Sequence, residues 1–142
     1  MSILVKNIMK KQIISIDSSL KAKDAAVLMD DSGVSCLVVM EKNVPVGMLT
    51  ERDFVTKVSA LGKYSSTSIR EIMSIPLITI NPDATITKLA ELMSDKKIHK
   101  VPVVEGNNLL GIVTATDLIR KCIMDSDLDL RHACSAFAQM AF

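Results

Sequence analysis

The sequence predicts an α+β fold made of two β-α-β-β-α repeats packed with pseudo-twofold symmetry, and three observations predict it. Gly111 follows Gly47 by 64 positions, and the same shift carries Ile8 and Met9 onto Ile72 and Met73, and Ile14 and Ile16 onto Ile78 and Ile80. It also carries Ala26, Leu28 and Met29 onto Ala90, Leu92 and Met93, and Val39, Glu41 and Asn43 onto Val103, Glu105 and Asn107, without an insertion. A match at one fixed spacing marks a duplicated unit. Within each copy, apolar runs of strand length alternate with helical periodicity. Each copy also holds a run ending in a hydroxyl residue, with a carboxylate three positions later: Thr50 with Asp53 and Thr114 with Asp117. Half-units of this size are too small to bury a sufficient core alone, so the two are expected to share one.

Taken in order, Ile13, Ile14, Ser15 and Ile16 form a β-prone run, and Asp17, Ser18 and Ser19 bring turn and cap chemistry. A helix is expected next, with Ala22, Ala25, Ala26 and Met29 on one face, Leu28 beside them, and Gly33 as its C-terminal cap. Cys36 to Met40 and Val46 to Leu49 are apolar runs either side of Glu41, Lys42 and Asn43, the pattern of a hairpin. From Thr50 the pattern turns helical, with Phe54, Val55, Val58 and Leu61 on one side. Gly62 to Ser68 is the polar connector, and Ser68 with Glu71 repeats the capping-box spacing before Ile69, Ile72 and Met73. The expected boundaries are thus repeat 1 at 5–61, linker at 62–68, repeat 2 at 69–123 and a C-terminal helical tail at 124–142. In the tail Leu130, Cys134, Phe137 and Ala141 give an apolar stripe, read as a helix lying back on the module.

Composition narrows the function. Of 142 residues 49% are hydrophobic and the formal net charge is +1, which excludes disorder and a strong electrostatic field. With one Tyr, three Phe and no Trp there are few platforms for base stacking, so nucleic acid is not an expected partner. Cys36, Cys122 and Cys134 are widely spaced, without the close pairs of a zinc site or a secreted disulfide framework, and read as small core residues in a reducing compartment. The residues from Met1 to Lys11 hold no signal-peptide core and no apolar run is long enough to span a membrane, so the expected location is cytoplasmic. Neither a nucleophile-base arrangement nor a phosphate loop is legible, and no catalytic role is expected. His132 lacks any partner pattern of metal-ligand spacing, so no metal is expected.

The Thr-x-x-Asp elements admit two readings. Either is a capping box, typically worth about 1 kcal/mol, in which the hydroxyl accepts from a free amide and the carboxylate reaches back. Equally, a strand end feeding a helix start is where small polar ligands bind in α/β units. Two caps alone would not need to share pattern, turn and motif in register, and the duplication raises the ligand reading to parity.

The order of elements, the duplication and the two Gly-x-x-Thr-x-x-Asp signatures, Gly47 to Asp53 and Gly111 to Asp117, resemble the cystathionine-β-synthase (CBS) domain pair, or Bateman module, over roughly residues 5 to 123. The run from His99 to Val104 resembles the family's second strand. The resemblance implies a regulatory module, without catalysis, for adenosine-containing ligands such as AMP, ADP, ATP or S-adenosylmethionine. It implies that Thr50 and Asp53, and again Thr114 and Asp117, hold a ribose, which fits a carboxylate able to accept from both hydroxyls of a cis-diol. One site would gather Thr50, Arg52 and Asp53 with Ile78, Ile98, His99 and Lys100; the other Thr114, Thr116 and Asp117 with Ile14, Val34 and Ser35. Since Arg52, His99 and Lys100 are basic, the Thr50/Asp53 site is expected to take the phosphorylated nucleotide. A homodimer is the expected state, with helices around 20–31, 50–61, 84–95 and 114–124 as interface and an unnamed effector protein as recipient of the signal. The competing reading is a ligand-independent dimerisation or protein-interaction module.

Overall fold

The computed structural model describes residues 2–124 together with 132, 134 and 135. It divides into two compact units that do not coincide with the sequence repeats: Ile13–Ile78, and the residues up to Gln12 joined with those from Thr79 onward.

The Ile13–Ile78 unit, here the first-repeat unit, holds β1 (Ser15–Asp17), α2 (Ala22–Ser32), β2 (Cys36–Glu41), β3 (Val44–Thr50), the helical turn α3 (Glu51–Asp53) and α4 (Ile69–Ile72). Its sheet runs β1-β2-β3, parallel then antiparallel, with Cys36 opposite Thr50 and Val39 opposite Gly47. The hairpin turns through Lys42 and Asn43, both at positive φ (49° and 63°), the backbone of a two-residue I′ turn. Leu37, Val39 and Leu49 from the sheet meet Ala22, Ala25 and Met29 of α2, and Ile69 and Ile72 of α4, in one core. Gly33 caps α2 in the left-handed region as expected, at φ 65°.

Three expectations change here. Ala26 is exposed, because the apolar stripe of α2 is narrow enough for Ala22, Ala25 and Met29 to fill it. Val55 and Leu61 are 63% and 64% exposed, leaving Val58 buried and Phe54 half-buried. The helix after Thr50 is also not uniform, since α3 widens into a π-helical segment over Phe54–Ser59. Thr56 supplies a local cause: its hydroxyl donates to the Arg52 carbonyl at 2.9 Å and competes for the acceptor that the α-helical ladder would use.

The second-repeat unit holds α1 (Val5–Ile8), α5 (Ile86–Lys96), β4 (Lys100–Glu105), β5 (Asn108–Thr114) and α6 (Ala115–Met124). Lys100 stands opposite Thr114 and Val103 opposite Gly111, the same register as in the other unit. The strand expected at Ile78 and Ile80 shrinks to a single parallel bridge, Ile80 to Val103. Only Ile80 makes the ladder bonds, to Pro102 O at 3.1 Å and from Val104 N at 3.0 Å, before Pro82 and its turn interrupt the run. Leu89, Ala90 and Met93 of α5 pack with Val5, Val101, Val103, Val113 and Leu118.

Each short leading helix belongs to the unit of the other repeat. Val5 N donates to Ala84 O at 2.8 Å and Ile69 N to Leu20 O at 2.9 Å, equivalent bonds under the 64-residue shift. The chain after each helix then crosses a motif strand at its glycine. Lys10 and Ile112 exchange two backbone bonds of 2.9 Å, and Ser74 and Met48 exchange bonds of 2.8 and 3.1 Å. A side chain at Gly111 would overlap the Lys10 carbonyl, and one at Gly47 would come to 3.0 Å from both Met73 Sδ and Ser74 O. The motif glycine is therefore a close-approach residue.

Cys122 and Cys134 pack against the second-repeat core as small residues do. They are also joined as a disulfide, with Cα atoms 6.5 Å apart, while Cys36 takes no part in a disulfide. This corrects the reading of the cysteines as unlinked: the bond ties Cys134 to Cys122 of α6 across a sequence separation of 12. Leu130, Phe137 and Ala141 of the expected tail helix lie outside the described residues.

Candidate functional site

Each repeat builds the same constellation where its second hairpin strand feeds a helix. In the first-repeat unit, Thr50 N donates to Asp53 Oδ2 at 2.8 Å and the Thr50 hydroxyl to the same oxygen at 3.3 Å. In the second-repeat unit the bonds from Thr114 N and Oγ1 to Asp117 Oδ2 are both 2.9 Å, and Asp117 N donates back to Thr114 Oγ1 at 3.2 Å. Capping is real at both motifs. It consumes only Oδ2, and so holds each carboxylate rigidly with Oδ1 directed elsewhere.

Both carboxylates are buried, Asp53 at 5% and Asp117 at 6% exposure. A buried charge needs partners, and the two find different ones. Asp53 Oδ1 has Lys57 Nζ at 3.0 Å and receives the Ser74 hydroxyl at 3.3 Å. Lys57 is anchored further by the Ile72 carbonyl and Ser74 Oγ, each at 3.2 Å. Asp117 Oδ1 has Lys10 Nζ at 3.8 Å.

Of the residues expected at the sites, the first-repeat unit contains Ile14, Val34, Ser35, Thr50, Arg52, Asp53 and Ile78, and the second Ile98, His99, Lys100, Thr114, Thr116 and Asp117. Within each unit the structure joins the start of one hairpin strand to the motif at the end of the other. Ser35 O accepts from Glu51 N at 3.1 Å and His99 O from Ala115 N at 2.7 Å. Ile14 O accepts from Val38 N at 3.0 Å, putting Ile14 beside the middle of β2. Ile14, Val34, Ser35, Ile78, Ile98 and Lys100 are half-buried, whereas Arg52, His99 and Thr116 are exposed. Ile78 belongs to the unit of Thr50, Arg52 and Asp53, and the Ile98 to Lys100 segment to that of Thr114 and Asp117.

Among the described residues, a cavity adjoins the motif in each unit. The first, of about 580 Å³, is lined among others by Met29, Asp30, Val34, Ser35, Glu51 and Phe54 and has acidic groups at its edge. The second, of about 190 Å³, is lined by Ile8, Asp117, Arg120, Lys121 and Met124. Sequence reasoning missed Lys10, Ser74, Lys57, Arg120 and Lys121. Extending the 64-residue shift past the motif pairs Lys57 with Lys121 and would have marked that shared lysine, whereas Lys10 and Ser74 differ in type and carry no such signal.

Among the described residues, no helix is long and apolar enough to cross a membrane. The CBS domain family model matches residues 5–60 and 69–123. The CBS domain-containing protein YhcV of Bacillus subtilis is 35% identical over 114 residues, 80% of this chain and 81% of its own. The chain spans between 31% and 62% of three further, longer relatives. Among solved structures, the CBS domain pair of protein MJ0100, in complex with 5′-methylthioadenosine and S-adenosyl-L-methionine, matches with a TM-score of 0.76 at 31% identity, over 85% of this chain and 96% of its own. The hexameric CBS-CP12 protein from bloom-forming cyanobacteria matches with a TM-score of 0.80 at 28% identity, over 98% and 91%.

Proposed function

Because this chain belongs to the CBS domain family and carries the domain twice, we propose that it is a regulatory module that binds an adenosine-containing ligand, AMP, ADP, ATP or S-adenosylmethionine, at its motif carboxylates. The observation that carries the reading is the pair of buried aspartates, each locked by its threonine through Oδ2 with Oδ1 left to other donors. A fixed carboxylate oxygen at a strand-to-helix junction is suited to accept from ribose hydroxyls, a bond stronger than one between neutral groups. The adenosine compounds held by the MJ0100 domain pair support the ligand class. Half-buried Ile14, Val34, Ile78 and Ile98 offer apolar contact for a base. Arg52, His99 and Lys100 are the basic residues that this reading assigns to a phosphate, with Thr116 as the neutral counterpart of Arg52.

The signal would pass through packing between copies rather than through a reaction. A homodimer is part of this reading, supported by the apolar side chains left exposed on the helices, Val27 at 49% and Val55 at 63%, and by the oligomeric CBS-CP12 neighbour. The recipient is an effector protein, and the cytoplasm is the compartment in which adenosine ligands report metabolic state.

A thermal melt with each ligand at millimolar concentration tests the function. At about a hundred times its dissociation constant a ligand adds about 2.7 kcal/mol to stability, which raises the melting temperature by several degrees. Loss of that shift in Asp53→Ala or Asp117→Ala supports the reading. A melt unmoved by all of them, with a stable dimer in solution, favours the ligand-independent interaction module instead.

A further inference from the structure

The two motif carboxylates differ in the hydrogen-bond capacity they have left. An ionised carboxylate accepts about four hydrogen bonds, shared between its two oxygens. At Asp53 that capacity is taken up: Oδ2 accepts from the amide and hydroxyl of Thr50, and Oδ1 from Lys57 Nζ at 3.0 Å and the Ser74 hydroxyl at 3.3 Å. Lys57 is as fully used as its acceptor. The N–H groups of its ammonium have Asp53 Oδ1, the Ile72 carbonyl and Ser74 Oγ as acceptors, one for each donor. Ser74 Oγ accepts from the lysine and donates to the carboxylate, which closes a ring of three side chains. At Asp117, Thr114 fills Oδ2 in the same way. Among the described residues, however, its Oδ1 faces only Lys10, whose ammonium at 3.8 Å stands beyond hydrogen-bond distance on a side chain 60% exposed. The Lys57 side chain is 37% exposed and stands in the π-helical segment, a widening that α6 does not share.

We propose that Lys57 is a latch on the first-repeat motif: it keeps Asp53 closed to a ligand diol until the diol displaces it, so that the Asp117 motif fills first. The proposal rests on the ribose reading above. A diol arriving at Asp53 must replace a charge-assisted bond with bonds from neutral hydroxyls, whereas at Asp117 one oxygen can accept without breaking a hydrogen bond. The apparent affinity at Asp53 is then lowered by the fraction of molecules in which the latch stands open. Displacement also has a consequence away from the carboxylate. Lys57 bridges the motif helix to the Ile72 carbonyl, at the end of α4, and to Ser74, on the segment that crosses at Gly47. Opening the latch releases both, and α4 carries Ile69 and Ile72 into the core of the same unit. Occupancy of Asp53 is thereby passed to α4.

The test is an NMR titration of adenosine into the wild type, Lys57→Met and Lys57→Arg, read separately at the amides of Thr50 and Asp53 and at those of Thr114 and Asp117. Methionine keeps an unbranched apolar stem and removes the donors; arginine keeps a cation. The wild type should respond at Thr114 and Asp117 at the lower adenosine concentration. Lys57→Met should gain about tenfold in affinity at Thr50 and Asp53, with Thr114 and Asp117 unchanged, and Lys57→Arg should gain less. A lysine with a merely structural role would give no gain. Absent, unchanged or weakened binding at Thr50 and Asp53 in Lys57→Met, while Thr114 and Asp117 respond, overturns the latch and leaves the ribose reading standing. No response at any of the four amides in either protein overturns the ribose reading and the latch with it. Should Lys57→Met fail to fold, the wild type decides: once adenosine saturates Thr50 and Asp53, the Lys57 Nζ resonance should move to that of a solvated ammonium, and a resonance that stays in place overturns the latch.

Discussion

Lys57 Nζ lies 3.0 Å from Asp53 Oδ1, so a lysine one helical turn along already occupies the oxygen that the cap leaves over. Its equivalent oxygen on Asp117 meets a lysine from another element, Lys10, at 3.8 Å. The duplicated motifs have thus diverged in what faces the second carboxylate oxygen, although Thr and Asp are retained in both.

The pair at Asp53 should carry measurable stability. Lys57→Ala leaves a carboxylate of 5% exposure with only hydroxyl and amide donors, and is expected to cost about 1 kcal/mol. Lys10→Ala, losing a longer and more exposed contact, is expected to cost less than about 0.5 kcal/mol. Urea denaturation of the two variants checks the order.

The motif glycines should resist substitution for a packing reason. Gly111→Ala would drive a methyl group into the Lys10 carbonyl and is expected to destabilise by about 1–3 kcal/mol. Gly47→Ala, where part of the contact is the flexible Met73 side chain, should cost less. Loss of the Lys10 to Ile112 backbone bonds in Gly111→Ala would show as faster amide exchange at Ile112.

Lys97 ends α5 at φ 55°, at the position where α2 has Gly33. A left-handed conformation costs a residue with a Cβ about 1 kcal/mol or more, so Lys97→Gly is expected to stabilise the protein by up to about that amount, read from the urea midpoint.

The cysteines make a chemical prediction. Peptide mapping without reductant should recover Cys122 linked to Cys134 and Cys36 alkylated. Recovery of all three alkylated would contradict the pairing.

Local patterns were legible because their causes are local. The strand end, the Thr and Asp cap, the Gly33 cap and the polar turn at Lys42 and Asn43 each follow from a few neighbouring residues, and duplication made their repetition visible. The destination of α1 and α4 was not. Val5 bonds to Ala84 and Ile69 to Leu20, partners far along the chain that no periodicity announces. The same holds for Lys10 and Ser74, which reach the carboxylates only because the chain crosses at a glycine. Thr56 redirected the helix after Asp53 through one hydroxyl bond, which apolar periodicity does not register.

The central claim, that the motif carboxylates hold the diol of an adenosine ligand, is tested most directly by comparing adenosine with 2′,3′-dideoxyadenosine in calorimetric titrations. The account predicts that removing the two hydroxyls weakens binding by about tenfold or more, and that this difference disappears when Asp53 and Asp117 are both replaced by alanine. Equal affinity for the two nucleosides, or a difference that survives without the aspartates, would contradict it.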